Sequence, residues 1–387
     1  MAITVSDVLN AERLKNMKLI TGQGGLDKVV KKVGILDYEF INKTEGQFGE
    51  GDFVISSFLF AKDDERLFVD SVKSLINDRV ACLAIKNVYY QNLTPEIIEY
   101  ADKLSFPIFL FDNSIFFEDL ITDITDMVRA DNRDQLTEAK IDNILQGSMN
   151  RTTVREAALE INKYFRENFV AIYCVEKKSG KDRNIFMLLK KYKDAFKNKC
   201  ECVLKYKNGI LAIITESKID KDSITGTAYD FISDSGISTE DFYVGISKLH
   251  ESLNEFDYGV NECLYAVNAG EALSQSITFY NDIGLYKILL PYINKHWMKD
   301  FYESLVKPLQ SYDAKYSAEF LKTAVAYIDN NGNIKDTAEA LFQHENTVRY
   351  RIGKIKEILS MENDHSFYEQ LSAAVKIFKI LNKEYMN

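Results

Sequence analysis

The chain has 387 residues, a formal net charge of -10, 46% hydrophobic residues and only 4 prolines. That length exceeds one hydrophobic core, so roughly two to four domains are expected, and the composition excludes long disordered tracts. An acidic chain repels nucleic acid at long range, so any DNA surface must be a concentrated basic patch.

No run approaches the roughly 20 apolar residues that span a bilayer. The start, Met1-Ala2-Ile3-Thr4-Val5-Ser6-Asp7, lacks the basic and apolar regions of a signal peptide, so a cytoplasmic protein with no membrane partner is expected. The five cysteines, Cys82, Cys174, Cys200, Cys202 and Cys263, are odd in number and scattered, which suits a reducing compartment better than a disulfide framework. Cys200 and Cys202 have no histidine beside them and fall short of the four ligands of a structural zinc site, so no metal or other cofactor is expected.

In chain order, Ser6 reads as a helix start and Thr21-Gly22-Gln23-Gly24-Gly25-Leu26 as a turn. This turn is not a phosphate loop: the Gly-Lys-Ser/Thr tail is missing and no convincing strand precedes it. Strand-length apolar runs follow at Val33 to Leu36, Asp52 to Ser57, Val80 to Ile85 and Pro107 to Phe111. Between them lie a helix through Leu67, Val69, Val72, Leu75 and Ile76 and another opened by Thr94-Pro95-Glu96. Alternating strands and helices imply a mainly parallel sheet covered on both faces, a first domain over residues 1–112. Ligands in such sheets sit beyond the carboxyl ends of strands, which points to Ser56, Ser57 and Lys86; the plainer reading is a cap, a turn and a solvated lysine.

Residues 113–147 read as a charged linker helix with Phe117, Leu120, Ile124, Met127, then Leu136, Ile141 and Leu145 on apolar spacings, its seam broken at Asp131-Asn132-Arg133-Asp134. It either couples domains, pairs with a twin in a dimer, or simply packs on a neighbour. A second α/β domain spans residues 148–281: a helix from Val154 to Phe165, strands Phe169 to Val175, Cys202 to Tyr206, Ile210 to Thr215 and Phe242 to Ser247, and a helix from Phe256 to Ala269. Lys207-Asn208-Gly209 joins two of these strands as a hairpin. Apolar helices with the single Trp297 form a connector over residues 282–316.

Residues 317–387 read as an all-α domain. Asn333 can cap a helix whose apolar side is Ile334, Ala338 and Leu341; a polar turn at Gln343 and His344 follows. The next helix buries Val348, Ile352, Ile355 and Leu359, so Asn346, Thr347, Arg349, Tyr350 and Lys354 point away from the seam. This is a helix-turn-helix pattern. Asn346 and Arg349 can bond base edges in a major groove, Thr347 can touch a thymine methyl, and Arg351, Lys354 and Lys356 can hold phosphates, with Lys335 on the first helix joining the set. Arg349 to Lys356 holds four bases and no acid, a local patch. An ordinary two-helix corner with a solvated basic face is the alternative. A closing helix from Phe367 to Leu381 completes the core.

The run His344-Glu345-Asn346-Thr347-Val348-Arg349-Tyr350-Arg351-Ile352 resembles the H-x-N-T-V-R-Y-R-L signature that ends the PucR/CdaR family of bacterial transcription regulators. Glu345 stands where that family usually has Arg, and Ile352 where it has Leu. The N-terminal domain resembles the PucR domain through Gly51 to Ser57, Val80 to Ile85 and Ala101 to Pro107. The middle domain is similar to a degenerate GGDEF-like domain through Gly245-Ile246-Ser247 and the Tyr258 to Asn268 helix.

The resemblance implies a multidomain α/β protein: an N-terminal α/β sensor, a central GGDEF-like domain and a C-terminal helix-turn-helix. Its implied function is a sequence-specific transcriptional regulator of a catabolic pathway, not an enzyme. Its implied partners are double-stranded DNA, a small-molecule effector such as a purine-derived metabolite, and its own copy in a homodimer or higher oligomer. A nucleotide-binding or cyclase-type enzyme is the rival, opposed by the missing carboxylate in the Lys207-Asn208-Gly209 turn. An RNA-binding regulator would need exposed aromatic groups beside basic ones, and only Tyr350 in the signature region fits.

Overall fold

A computed structural model describes residues 2–10, 13–37, 47–177, 185–195, 199–217 and 224–382. Among the described residues two five-stranded sheets precede a helical C-terminal domain. In the first, β2 (Lys32–Ile35), β3 (Asp52–Ser56), β4 (Cys82–Lys86) and β5 (Ile108–Phe111) run parallel in the order β5-β4-β3-β2. Helices α2 (Glu65–Asn77) and α3 (Pro95–Lys103) cover one face, so β3, β4 and β5 are buried almost throughout, as their unbroken apolar runs require. Asp64 and Thr94 cap these helices, and Pro95 takes a first-turn position where no N–H is needed.

Strand β1 (Lys18–Thr21) corrects the expectation that no strand precedes the glycine turn. It has four residues, mostly half-exposed, and pairs antiparallel with β5, too short for a clear alternation. The turn itself is packed shut: a Cβ on Gly22 would lie 2.0 Å from the Phe106 carbonyl carbon, and the Gly22 N–H donates to Asp102 at 2.7 Å.

The second face of this sheet is covered by α4 (Phe117–Leu145), which the four polar residues from Asp131 do not interrupt. The seam breaks there because the helix changes neighbours. Leu120, Ile124, Met127 and Val128 belong to the first core, whereas Ile141 and Ile144 belong to the core of the middle domain. Leu136, expected on the apolar spacing, faces solvent.

The middle sheet is ordered β10-β9-β6-β8-β7, from β6 (Asn168–Glu176), β7 (Glu201–Tyr206), β8 (Gly209–Glu216), β9 (Phe242–Ile246) and β10 (Ile277–Phe279). Helices α5 (Arg151–Ile161) and α8 (Phe256–Leu273) pack on one face, and α6 (Ile185–Ala195) with α7 (Ile224–Ser235) on the other. Sequence reading passed over α6, α7 and β10. In the β7–β8 hairpin the left-handed residue is Lys207 at φ 50°, not the glycine. Gly209 is needed for a different reason: a Cβ there would sit 2.3 Å from the Cys174 carbonyl oxygen. Edge strand β7 is covered by α4, whose Asp134 and Glu138 accept the Lys205 and Lys207 N–H groups at 3.3 and 3.0 Å, while Asp142 accepts from the Tyr206 hydroxyl at 2.6 Å. Carboxylates spaced four apart on one helix face thus pair an otherwise open strand edge.

After α9 (Tyr286–Leu289), helix α10 (His296–Tyr316) enters the C-terminal core through Leu305, Val306 and Leu309, joining α11 (Phe320–Asp329), α12 (Ile334–Ala340), α13 (Glu345–Ile358) and α14 (Phe367–Leu381). Asp313 on α10 caps α11 by accepting the Phe320 and Leu321 N–H groups at 2.8 and 2.9 Å. Helix α14 docks back on the middle domain, with Ile380 in one apolar cluster with Ala266, Ala269 and Ala272 of α8. No helix among the described residues is long and apolar enough to cross a membrane.

Candidate nucleic-acid interface

Helices α12 and α13 meet where the small side chain of Ala338 lies beside Val348, Ile352 and Ile355, all four buried. Asn333 caps α12, its Oδ1 accepting the Lys335 N–H at 2.9 Å. The turn ends on His344, whose Nδ1 accepts the Asn346 N–H at 3.2 Å and so carries a lone pair in this tautomer. Each helix is therefore closed by a side chain that its own sequence supplies, and the burial of one face of α13 fixes what the other presents.

That outward face holds Asn346, Arg349 and Tyr350, all exposed, with Thr347 half-buried at its margin. The Arg349 side chain is 64% exposed and its Nη2 lies 3.3 Å from Glu345, one turn earlier. A solvated i,i+4 pair of this kind contributes at most about 0.5 kcal/mol, so it orients the guanidinium without holding it. Lys354 is half-buried and bonds Glu357 at 2.5 Å, which raises its pKa above the ordinary lysine value chiefly through that hydrogen bond. Lys335 is exposed on α12.

Arg351 stands apart from its expected place. Its side chain is 20% exposed and turns onto α11, with Nη1 3.1 Å from Thr323 Oγ1 and 3.5 Å from Glu319. It braces α13 against α11 where a phosphate-holding role was expected, because position 351 follows the buried seam by three residues from Val348 and α11 wraps that side. Lys356 likewise lies over the Phe367 ring at 4.9 Å. Sequence reading also missed Phe342, 95% exposed in the turn with φ 53°. A bulky residue in the left-handed region costs about 1–3 kcal/mol, a cost also borne at Phe58 and here tied to the end of α12.

At the carboxyl ends of the first sheet, Ser56 is fully buried: its hydroxyl donates to the Leu36 carbonyl at 2.7 Å and accepts the Phe58 N–H at 2.9 Å. Ser57 and Lys86 are half-buried, with Lys86 5.5 Å from both the Phe116 and Phe117 ring centroids. Nearby Asp112 is held below the usual carboxylate range, first by the Ser114 hydroxyl and N–H and last by Lys86. Among the described residues, two sizeable cavities lie elsewhere. One of about 680 Å³ runs between α4 and α6, lined by Asp126, Met127, Arg129, Arg133, Leu189 and Lys193 among others. Burial lifts the Asp134 carboxyl at its rim, against the pull of Lys193. The other, about 540 Å³, opens at the amino ends of the strands beside Lys28, Ile76 and Arg79.

Burial pushes the Cys174 and Cys263 thiols well up and Cys202 to about 11, which leaves these sulfurs poor nucleophiles and poor metal ligands. Among the described residues no cluster of three His, Cys, Asp or Glu is placed to hold a metal ion.

Residues 7–128 match the purine catabolism regulatory protein-like family, PucR, and residues 320–377 match the PucR C-terminal helix-turn-helix domain. The chain is 29% identical over 162 residues to the proline-responsive transcriptional activator PutR of Bacillus subtilis (strain 168), covering 39% of each chain. It is 20% identical over 126 residues to the DNA-binding transcriptional activator AdeR of the same organism, covering 32% of this chain and 30% of that one. The matched stretches thus span two-fifths or less of these relatives. A crystal structure of a regulator of polyketide synthase expression from Bifidobacterium adolescentis aligns at 17% identity and a TM-score of 0.27, covering 61% of this chain and 96% of that one.

Proposed function

We propose that this chain, a member of the PucR family by its N-terminal and helix-turn-helix domains, is a sequence-specific DNA-binding transcriptional regulator acting in the cytoplasm. The observation that carries the reading is the division of α13 between a buried seam, Val348, Ile352 and Ile355, and an outward face of Asn346, Arg349 and Tyr350. Lys335 and Lys354 supply phosphate contacts beside it. The reading is tested by exposing the purified chain to a random-sequence duplex library: enrichment of one sequence supports it, and enrichment of none removes it.

The regulated pathway is catabolic and the effector a small metabolite, a purine derivative or another nutrient. The description of the matched family and the name of a relative as proline-responsive support that class. The effector binds the N-terminal domain, residues 1–112, with Ser57 and Lys86 open to it and Ser56 acting only from within. The cavity between α4 and α6 favours a second placement, since a ligand there would touch the helix shared by two cores. The chain acts as a homodimer or higher oligomer, two α13 faces reading half-sites about one helical turn, roughly 34 Å, apart. Sensing and DNA binding then share a coupling free energy of about 1–3 kcal/mol that is reciprocal. With an effector found by thermal shift of the full chain, the factor by which it changes duplex affinity should equal the factor by which the duplex changes effector affinity. A ligand that stabilises the protein yet leaves duplex affinity unchanged rules this coupling out.

We read the middle domain as a degenerate GGDEF-like domain without catalysis. Its β-α-β-β-α-β core, with strands ordered β9-β6-β8-β7, supports the likeness. The turn Lys207-Asn208 carries no carboxylate, and two acids of α4 beside it, Glu138 and Asp142, are engaged with Lys207 N–H and the Tyr206 hydroxyl. Incubation with magnesium and GTP or ATP should therefore yield no cyclic product above a boiled-protein control. A cyclic dinucleotide above that control would restore the enzyme reading.

A further inference from the structure

Phe342 presents an aromatic ring to water at a position where the backbone favours glycine or asparagine. Two backbone bonds here end α12: the Phe342 N–H donates to the Glu339 carbonyl at 3.1 Å and the Gln343 N–H to the Ala338 carbonyl at 2.9 Å. Glycine would make the same two bonds without a Cβ in the left-handed region. At 95% exposure the ring is not packed among the described residues, so core burial does not account for it, and turn formation would be served by glycine.

Its neighbours say what it faces. Gln343 and His344 beside it are exposed, Asn346 lies four residues on, and Lys335 is exposed on α12. A protein-binding surface gathers contiguous apolar groups, whereas Phe342 stands among polar and charged side chains, Glu339 and Glu345 as well as Lys335. That mixture suits the edge of a major groove, where the one apolar group a base pair offers is the thymine 5-methyl.

Resting on the DNA reading of α13, we propose that Phe342 is a further specificity-determining residue, its ring packing on a thymine methyl next to the bases read by Asn346 and Arg349. The recognition surface then begins in the turn, before α13.

The test uses the full chain and a duplex that it enriches from a random-sequence library, with each thymine replaced singly by uracil so that only the methyl is lost. At one position the parent should lose about fivefold in affinity, within the range for a single base contact. Phe342→Gly should lose about as much on the unsubstituted duplex and nothing more at that position, while its thermal midpoint stays equal or rises as left-handed strain is released. Phe342→Leu, which keeps an apolar group, should retain the methyl sensitivity in part. A Phe342→Gly protein with parental affinity, or one keeping the parent's sensitivity at every thymine, overturns the assignment. So does a loss of dimer mass in that variant, which would make Phe342 a contact between copies. Failure of the parent to enrich any duplex overturns the DNA reading itself, an outcome distinct from enrichment with no methyl effect.

Discussion

Arg349→Ala is expected to weaken binding to the enriched duplex by about 1–3 kcal/mol, roughly 5- to 150-fold, while binding to random duplex changes little. The expectation follows from geometry. Arg349 stands exposed on the flank of α13, outside the buried Val348 seam, and among the described residues only a solvated contact with Glu345 restrains it. Its planar fork can leave that carboxylate for the paired acceptors of a guanine edge. Lys354→Ala supplies the contrast, because a point charge on a phosphate reads no base: both duplexes should bind less well, and the dependence on salt should flatten by about one unit. Affinities for both duplexes measured across a salt series decide the matter. Equal affinity of parent and Arg349→Ala for the enriched duplex would falsify the base-reading role.

Gly245→Ala is expected to destabilise the protein by about 3 kcal/mol, the upper end for forcing a methyl into a packed interior. A Cβ at Gly245 would lie 2.3 Å from the Cys263 carbonyl oxygen and 2.4 Å from the Val267 nitrogen. Both are backbone atoms of α8, so no side chain can swing aside and the helix as a whole must lift from β9. The far side of α8 carries Ala266, Ala269 and Ala272 against Ile380 of α14. Lifting α8 therefore disturbs the seat of the helix-turn-helix domain, and duplex affinity should change together with stability. Chemical denaturation of the full chain measures the first effect and duplex titration the second. A loss below about 0.5 kcal/mol would mean that α8 yields freely and is no rigid seat.

The parts of this architecture that sequence made legible are those where a period or a cap speaks locally. Continuous apolar runs gave the four parallel strands, Thr94-Pro95 opened α3, and the spacing of Val348, Ile352 and Ile355 oriented α13. Strands β1 and β10 stayed hidden because four and three residues are too few to alternate. Arg351 was misplaced because a helical period gives the angle of a side chain but not which helix wraps that side; α11 does, and Thr323 receives the guanidinium. Phe342 was passed over because a turn has no period to violate, and its signal is a backbone angle. The Asn208-Gly209 pair marked a real hairpin for an incomplete reason, since the glycine serves close approach to β6 while Lys207 makes the turn.

Helix α4 gives two cores a common phase. Its 29 residues span about 43 Å, with the first half seated under the N-terminal sheet and the second against β7 and the middle core. One residue added near Asn132 would advance the second half by about 1.5 Å and turn it by about 100°, carrying Asp134, Glu138 and Asp142 off the strand edge they pair. Insertions in the loops can be absorbed locally; within this helix they are read out at the far end. Its continuous backbone also ties the two cores together, so any shift of its first half must be taken up either by bending of the helix or by the domain that seats α14.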